Sequence, residues 1–545
     1  MKLRNIIFSI IAAGIFVLPG CESDADFLSE ERKDALTTDN AFLTKSQFES
    51  LLGANYRTLQ SMYNSGDGAA NIWQNGYGMD AMHYALAEDV AYNDWTKVNE
   101  FEGFNGNWYN INFQMIKYAN TVIDAAQKEG VKWNSETEKN EIIAEGRFFR
   151  AWSYRNLVNI YGGMPIIETP LTEPKVDFVR NTKEECYTFI KEDLEFAKSN
   201  LPLTTDTPGK VVRAAADHLL AEIYICLKDY DQAIAAATRV IDGTDGDYQL
   251  MTERFGVRAD EPDKTVYWDL FRMGNHNYQT GNKEAIWVAQ FEYNLPGGTV
   301  NYGRPTIERA MWNRYWLFSK AGYSGTAADS TGRGVAFLRG TDHVNYGIWK
   351  NTEGDIRNLE SSVKRKYYFA ADVTVDGVSY AEGDLIPKSF LTAKEDSMWY
   401  IYPNFQKFGT DKHKDEKPDN GFVPDFYVMR LAGTYLLRAE AYLGKGQKDK
   451  AADDINVIKA RAKAPLITAS DVTIDYILDE RLRELYGEEF RTLTLGRLGL
   501  IYDRTKRFGY SLSKSTIKEY NNLFPIPQSV IDRNVGAEFK QNPGY

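Results

Sequence analysis

Residues 214–243, AAADHLLAEIYICLKDYDQAIAAATRVIDG, carry the pattern that decides the fold. Ala221, Tyr224, Ala233, Ala237 and Val240 fall at offsets 0, 3, 12, 16 and 19. The same offsets return in residues 431–463 as Ala439, Tyr442, Ala451, Ile455 and Ile458. Small residues three or four positions apart let two helices approach closely, and a Tyr one turn further on fills the gap beside them. Each stretch therefore predicts two antiparallel helices joined by a short turn.

This is the spacing of a tetratricopeptide (TPR) repeat, and helical patterning extends outward from it. Upstream, Asn40 is the expected N-cap of a helix with apolar positions at Phe48, Leu51, Leu52 and Tyr56. Ile111, Met115, Ala119 and Val122 share a face between Trp108 and Ala126, and a further helix runs from Glu138 to Tyr161, ending at Gly162-Gly163. Residues 66–106 read as a loop rich in Gly, Asn, Asp and aromatics. Residues 250–425 read as a mixed insertion, with strand-like AIWVAQFEY and a hairpin at Asp376-Gly377. From Asp471, DYILDERLRELYGEEFRTLTLGRLG reads as one helix. The expected fold is mostly α, a TPR-like helical-repeat scaffold with an inserted irregular mixed α/β, loop-rich subdomain. The expected divisions are 1–20, 21–39, 40–249 with the loop 66–106, 250–425 and 426–545.

At the N-terminus, Lys2 and Arg4 precede an apolar run of twelve, Ile6 to Val17, followed by Leu18-Pro19-Gly20-Cys21. Twelve residues span about 18 Å as a helix, short of a bilayer core of about 30 Å, so 1–20 reads as a signal peptide. Gly20 before Cys21 resembles a lipobox, which makes Cys21 the expected lipidated residue, and Glu22, Asp24 and Asp26 give an acidic tether. Acidic residues number 76 against 64 basic, a net charge of −12, so nucleic acid is an unsuitable partner. Three cysteines exclude a disulfide scaffold, and 13% aromatics exclude disorder.

These features, together with Glu145-Gly146-Arg147-Phe148-Phe149-Arg150-Ala151, Tyr161-Gly162-Gly163-Met164-Pro165, Arg438-Ala439-Glu440-Ala441-Tyr442, Ile458-Lys459-Ala460-Arg461-Ala462, Glu488-Glu489-Phe490-Arg491, Phe524-Pro525-Ile526-Pro527 and Gln541-Asn542-Pro543-Gly544-Tyr545, resemble the SusD/RagB family of Bacteroidetes outer-membrane lipoproteins. The family often has Ala where Gly146 lies. The resemblance implies four TPR-like helix pairs and a lipid-anchored, extracellular-facing protein of the outer membrane. It also implies a SusC-like TonB-dependent barrel as partner, with binding and delivery of glycans, or of peptides in some members, without cleavage. The quoted motifs are then scaffold, and ligand residues lie in the loops.

A neutral glycan is gripped by aromatic faces and by groups that bond hydroxyls. Half-covering one aromatic side chain, about 100 Å² at ~25 cal/mol per Å², contributes about 2.5 kcal/mol before association costs, so two to four rings are needed. Loop 66–106 offers Trp73, Tyr77, Tyr84, Tyr92 and Trp95, with Asn93 beside them; the insertion offers Tyr293, Tyr302, Trp312, Tyr315 and Trp316. Trp73, Tyr92, Asn93, Trp95, Trp312 and Trp316 are the candidate ligand residues, Trp312 and Trp316 being one helical turn apart. The alternative for each ring is packing of a loop onto the body, the role expected of Trp108, Trp133 and Trp152. No HExxH occurs, and adjacent Glu488 and Glu489 do not flank a bond as a glycosidase requires, so no catalytic residue is assigned. Asp242, Asp245 and Asp247 miss the EF-hand spacing and read as a solvated turn, and no cofactor or metal is expected. Two other readings stay open: a peptide or glycopeptide lid of the same kind of transporter, and a TPR adaptor for protein partners.

Overall fold

The computed structural model describes residues 42–63, 73–101, 103–292, 310–325, 334–408 and 424–545. Cys21 and Asn40 lie outside the described residues. Eleven of the helices organise the body: α1 (Lys45–Tyr63), α2 (Gly103–Ala125), α3 (Glu136–Tyr161), α4 (Lys183–Asn200), α5 (Arg213–Cys226), α6 (Tyr230–Ile241), α7 (Leu431–Gly444), α8 (Lys448–Arg461), α9 (Ile474–Leu485), α10 (Arg491–Leu498) and α11 (Ile501–Phe508). The first eight pack in sequence, each against the next, as a stack of antiparallel pairs. Starts are set by local chemistry. Ser135 accepts a bond from the Glu138 amide, Thr182 and Glu185 form a reciprocal capping box, and Asp229 accepts from the Gln232 amide.

The two matched repeats are neighbours in space. Ala221, Ala233, Ala237 and Val240 of one, and Ala439, Ala451, Ile455 and Ile458 of the other, are fully buried. Helix α6 lies directly on α7 although nearly 190 residues separate them. Arg438 donates to Thr238 Oγ1 at 3.0 Å, and His218 Nδ1 meets Thr434 Oγ1 at 2.7 Å. A Cβ on Gly444 would stand 2.4 Å from the Tyr230 ring, so glycine there permits the close approach.

Among the described residues eight strands occur, all short: β1 (Met82–Tyr84), β2 (Ala285–Ala289), β3 (Leu338–Gly340), β4 (Val363–Lys364), β5 (Val373–Val375), β6 (Val378–Tyr380), β7 (Asn404–Phe405) and β8 (Phe426–Arg430). They pair antiparallel as β1–β3, β2–β8, β4–β7 and β5–β6. The β5–β6 hairpin turns on Asp376-Gly377, both at positive φ (51° and 78°), the conformation a two-residue turn of this hand requires. Strand β2 is buried throughout, and its partner β8 leads straight into α7. Trp287 sets its edge on Phe148 and Trp152, each at 5.2 Å. The insertion thus shares the main core instead of standing on one of its own at that point.

Two expectations change. The single helix after Asp471 is broken: α9 ends at Leu485 and α10 begins at Arg491. Gly487 between them has φ +74°, and a Cβ there would lie 2.1 Å from the Phe408 ring. The expected solvated turn is also partly interior. Asp245 is 1% exposed, and Asp247 turns away to Lys283 at 3.0 Å. Burial, then the neighbouring Asp217, pushes the Asp245 carboxyl up to about 7. The folded chain therefore holds a proton that the unfolded chain releases near pH 4, and stability falls as pH rises from about 4 to about 7. In Asp245→Asn that slope should flatten: the stability read from urea unfolding should match wild type near pH 4 and exceed it at pH 8, by about 1 kcal/mol or more. A midpoint lower than wild type at pH 8 would contradict this.

Candidate functional site

Most rings singled out from sequence are structural. Trp95 is 1% exposed; its indole donates to Gly78 O at 3.0 Å, and its ring meets Tyr92 and Phe524 edge-on at 5.8 and 5.9 Å. Tyr92 is buried at φ +71°. Asn93 is buried as well: its Oδ1 accepts from Tyr84 N, and its Nδ2 donates to Tyr84 O and Ala87 O, at 2.8–3.0 Å. These three residues lock the loop onto the body. A ring with no open face cannot stack a sugar, which corrects the assignment of Tyr92, Asn93 and Trp95 as ligand contacts.

Trp312 and Trp316 do not share a helical face. Asn313 binds Tyr367 Oη and Tyr402 O through its amide, the chain leaves helical geometry there, and Trp316 sits in a 3-10 turn, Tyr315–Leu317. Their indoles donate inward, Trp312 to Phe405 O at 3.1 Å and Trp316 to Gly334 O at 2.9 Å, and both are buried, which corrects that pair too. The side chain of Trp73, and Tyr293 and Tyr302, lie outside the described residues. Trp108 and Trp152 are core as expected, and Trp133 stacks half-buried on Phe48 at 5.0 Å.

The loop and the insertion do meet, at a seam that leaves aromatic surface open. Strand β1 ends at Tyr84, whose half-buried ring stacks on Phe337 beside β3, 6.0 Å between centroids and 11° between planes. Ala85 N donates to Phe337 O at 2.8 Å. Ala85 O in turn accepts the indole of Trp399 at 2.8 Å, which brings a third part-exposed ring to the same backbone. Trp399 stands in a π-turn, Asp396–Tyr400, a distortion that re-aims side chains. Arg314 is tied to this place by its amide on Trp399 O at 2.7 Å and its Nε on Val335 O at 2.7 Å. Glu88 edges the seam, paired with Lys394 and accepting Tyr510 Oη at 2.6 Å. Beneath, His83 stacks on Tyr510 at 4.3 Å, and burial lowers it to about 3, keeping it neutral. The seam offers three ring faces with a guanidinium, a carboxylate and an ammonium around them. Sequence reading missed Phe337 and Trp399 because register between distant strands, not local spacing, sets them side by side.

A cleft of about 670 Å³ lies elsewhere, between α1, residues 207–210 and the end of β2. Its buried Glu145 is already engaged, accepting Tyr56 Oη at 2.8 Å and lying 3.6 Å from Lys210. The Tyr56 ring, edge-on to Phe149 at 4.8 Å, is the one aromatic ring lining this cleft among the described residues, so it offers fewer rings than the seam.

The family model for SusD matches residues 231–545, well over half the chain. The chain belongs to the SusD family. A second model, described as "Starch-binding associating with outer membrane", matches residues 26–225. A SusD-like protein of Bacteroides ovatus is 25% identical over 440 residues, 77% of this chain and 68% of its own. Among solved structures, the surface glycan-binding protein A of Bacteroides fluxus is similar over 92% of this chain and 99% of its own, with a TM-score of 0.65 at 20% identity. A laminarin-binding SusD-like protein is similar over 92% and 100%, with 0.63 at 21%. The stacked helix pairs are thus the SusD fold, and the quoted motifs are its scaffold. Glu488 is paired with Arg430 and Lys407, and Glu489 with Arg481 and Arg491.

Proposed function

We propose that this SusD-family chain is a cell-surface protein that binds an oligo- or polysaccharide without cleaving it and passes it to a TonB-dependent outer-membrane barrel. The seam of Tyr84, Phe337 and Trp399 with Arg314 is the observation that carries the reading. The three rings are each only part-exposed, so covering what they show contributes about 1–2 kcal/mol apiece, a modest grip that holds a chain and permits release. Arg314 and the Glu88–Lys394 pair supply donors and acceptors for hydroxyls. The two structural relatives described as laminarin-binding and glycan-binding favour a sugar over other ligands. Among the described residues no helix is long and apolar enough to cross a membrane, and attachment through a lipid on Cys21 is part of the proposal.

Affinity electrophoresis through a panel of polysaccharides tests it. Wild type should be retarded by at least one polymer, and Trp399→Ala should lose most of that retardation while keeping the wild-type melting midpoint within a few degrees, because its ring is part-exposed. Retardation unchanged in both Trp399→Ala and Arg314→Ala would remove the seam as the site.

A further inference from the structure

The outer side of α2 carries a groove that the seam does not involve. Asn110, Phe113, Gln114, Lys117 and Tyr118 recur every three or four residues along it, a stripe about 12 Å long. Arg533, from the short helix Gln528–Arg533, closes the other wall. The shallow part of this groove is about 780 Å³. It shares Asn110, Phe113 and Arg533 with an adjoining apolar crevice of about 290 Å³.

Three properties point to one kind of occupant. First, the charge is one-sided. The lining holds Lys117, Lys175 and Arg533 and no carboxylate, on a chain whose net charge is −12. Lys175 pairs with Asp177 at 2.7 Å, and the nearby Asp532 accepts from Gln528. Lys117 and Arg533 form no ion pair with any carboxylate among the described residues, so an anion there meets uncompensated positive charge. Second, Asn110 and Gln114 are exposed carboxamides, groups that both donate and accept, as a peptide main chain does. Third, the crevice is walled by aromatic and aliphatic groups, with Phe113 against Tyr109 at 4.7 Å, and it suits a large apolar side chain.

We infer that this groove docks an extended acidic peptide segment of a partner protein, one large apolar side chain entering the crevice and flanking carboxylates meeting Lys117 and Arg533. The inference is independent of the glycan reading, because it shares no residue with the seam.

The test uses the full chain and a fluorescein-labelled acidic peptide with a central phenylalanine, read by fluorescence anisotropy at low and at physiological salt. The acidic peptide should bind about tenfold tighter than the same peptide with glutamine for every glutamate, and salt should weaken it. Lys117→Gln with Arg533→Gln, both at exposed positions, should abolish that preference, and Phe113→Ala should weaken both peptides. Equal binding of the acidic and glutamine peptides overturns the inference, as does acidic-peptide binding indifferent to the double variant. Tighter binding of a uronate oligosaccharide than of the peptide, lost in the double variant, would also overturn it and make the groove a site for acidic sugar.

Discussion

Glu484→Gln should lower the stability of this protein by about 3–5 kcal/mol, read as a fall in the urea midpoint at pH 7. The carboxylate of Glu484 is fully buried where α7, α8, α9 and the insertion converge. It accepts from Arg430 at 2.7 Å, from Arg357 at 3.0 Å and from Arg461. Burial by itself would raise its pKa, but Arg461, Arg430 and Arg357 outweigh burial and hold it well below the usual carboxylate range. Glutamine keeps the volume and removes the charge that three interior guanidiniums face. Buried Arg483 and Lys407 draw on the same acids, so the four that remain, Glu284, Asp355, Glu480 and Glu488, face five cations and neutralise the cluster incompletely. Because the folded-state pKa is depressed, the stabilisation is present above about pH 4.5 and is lost as pH falls below it. The gap between wild type and variant should therefore shrink in acid. An unchanged midpoint at pH 7 would mean that the cluster is organised differently.

Trp95→Ala should cost a further 3–5 kcal/mol by a different mechanism. Its indole fills the space between Tyr92 and Phe524 and satisfies Gly78 O, so truncation leaves both a cavity and an unpaired carbonyl. Below its own melting transition the variant should bind polysaccharide within about twofold of wild type, whereas Trp399→Ala should not. A Trp95→Ala protein with a normal midpoint and no glycan retention would reverse both assignments and return the indole to the ligand.

The contrast between Trp95 and Trp399 shows where local reading stops. Offsets within a helix pair are short-range, because the helix carries its own geometry. Ala221, Tyr224, Ala233, Ala237 and Val240 therefore announced their packing before any fold was known, and the repeat at 431–463 lies against it as α6 against α7. The hairpin at Asp376-Gly377 was readable for the same reason, its positive φ values being a property of two adjacent residues. The break at Gly487 was not, since it answers to Phe408, nearly eighty residues earlier. Aromatic residues in loops carry no period, and composition alone does not say which side of a loop faces water. Asn93 looks like a hydroxyl ligand in sequence and serves as a backbone tie in the fold.

What the chain by itself determined is the helical frame: its repeat spacing, its caps and the glycines that let helices touch, all written in interactions a few residues long. What only the tertiary structure decided is which rings remain open. Tyr84, Phe337 and Trp399 become one surface because β1 pairs with β3 and the Trp399 indole reaches Ala85 O, contacts that span more than 250 and 300 residues. Exposure is what remains after every other surface has been buried, so no local stretch can encode it.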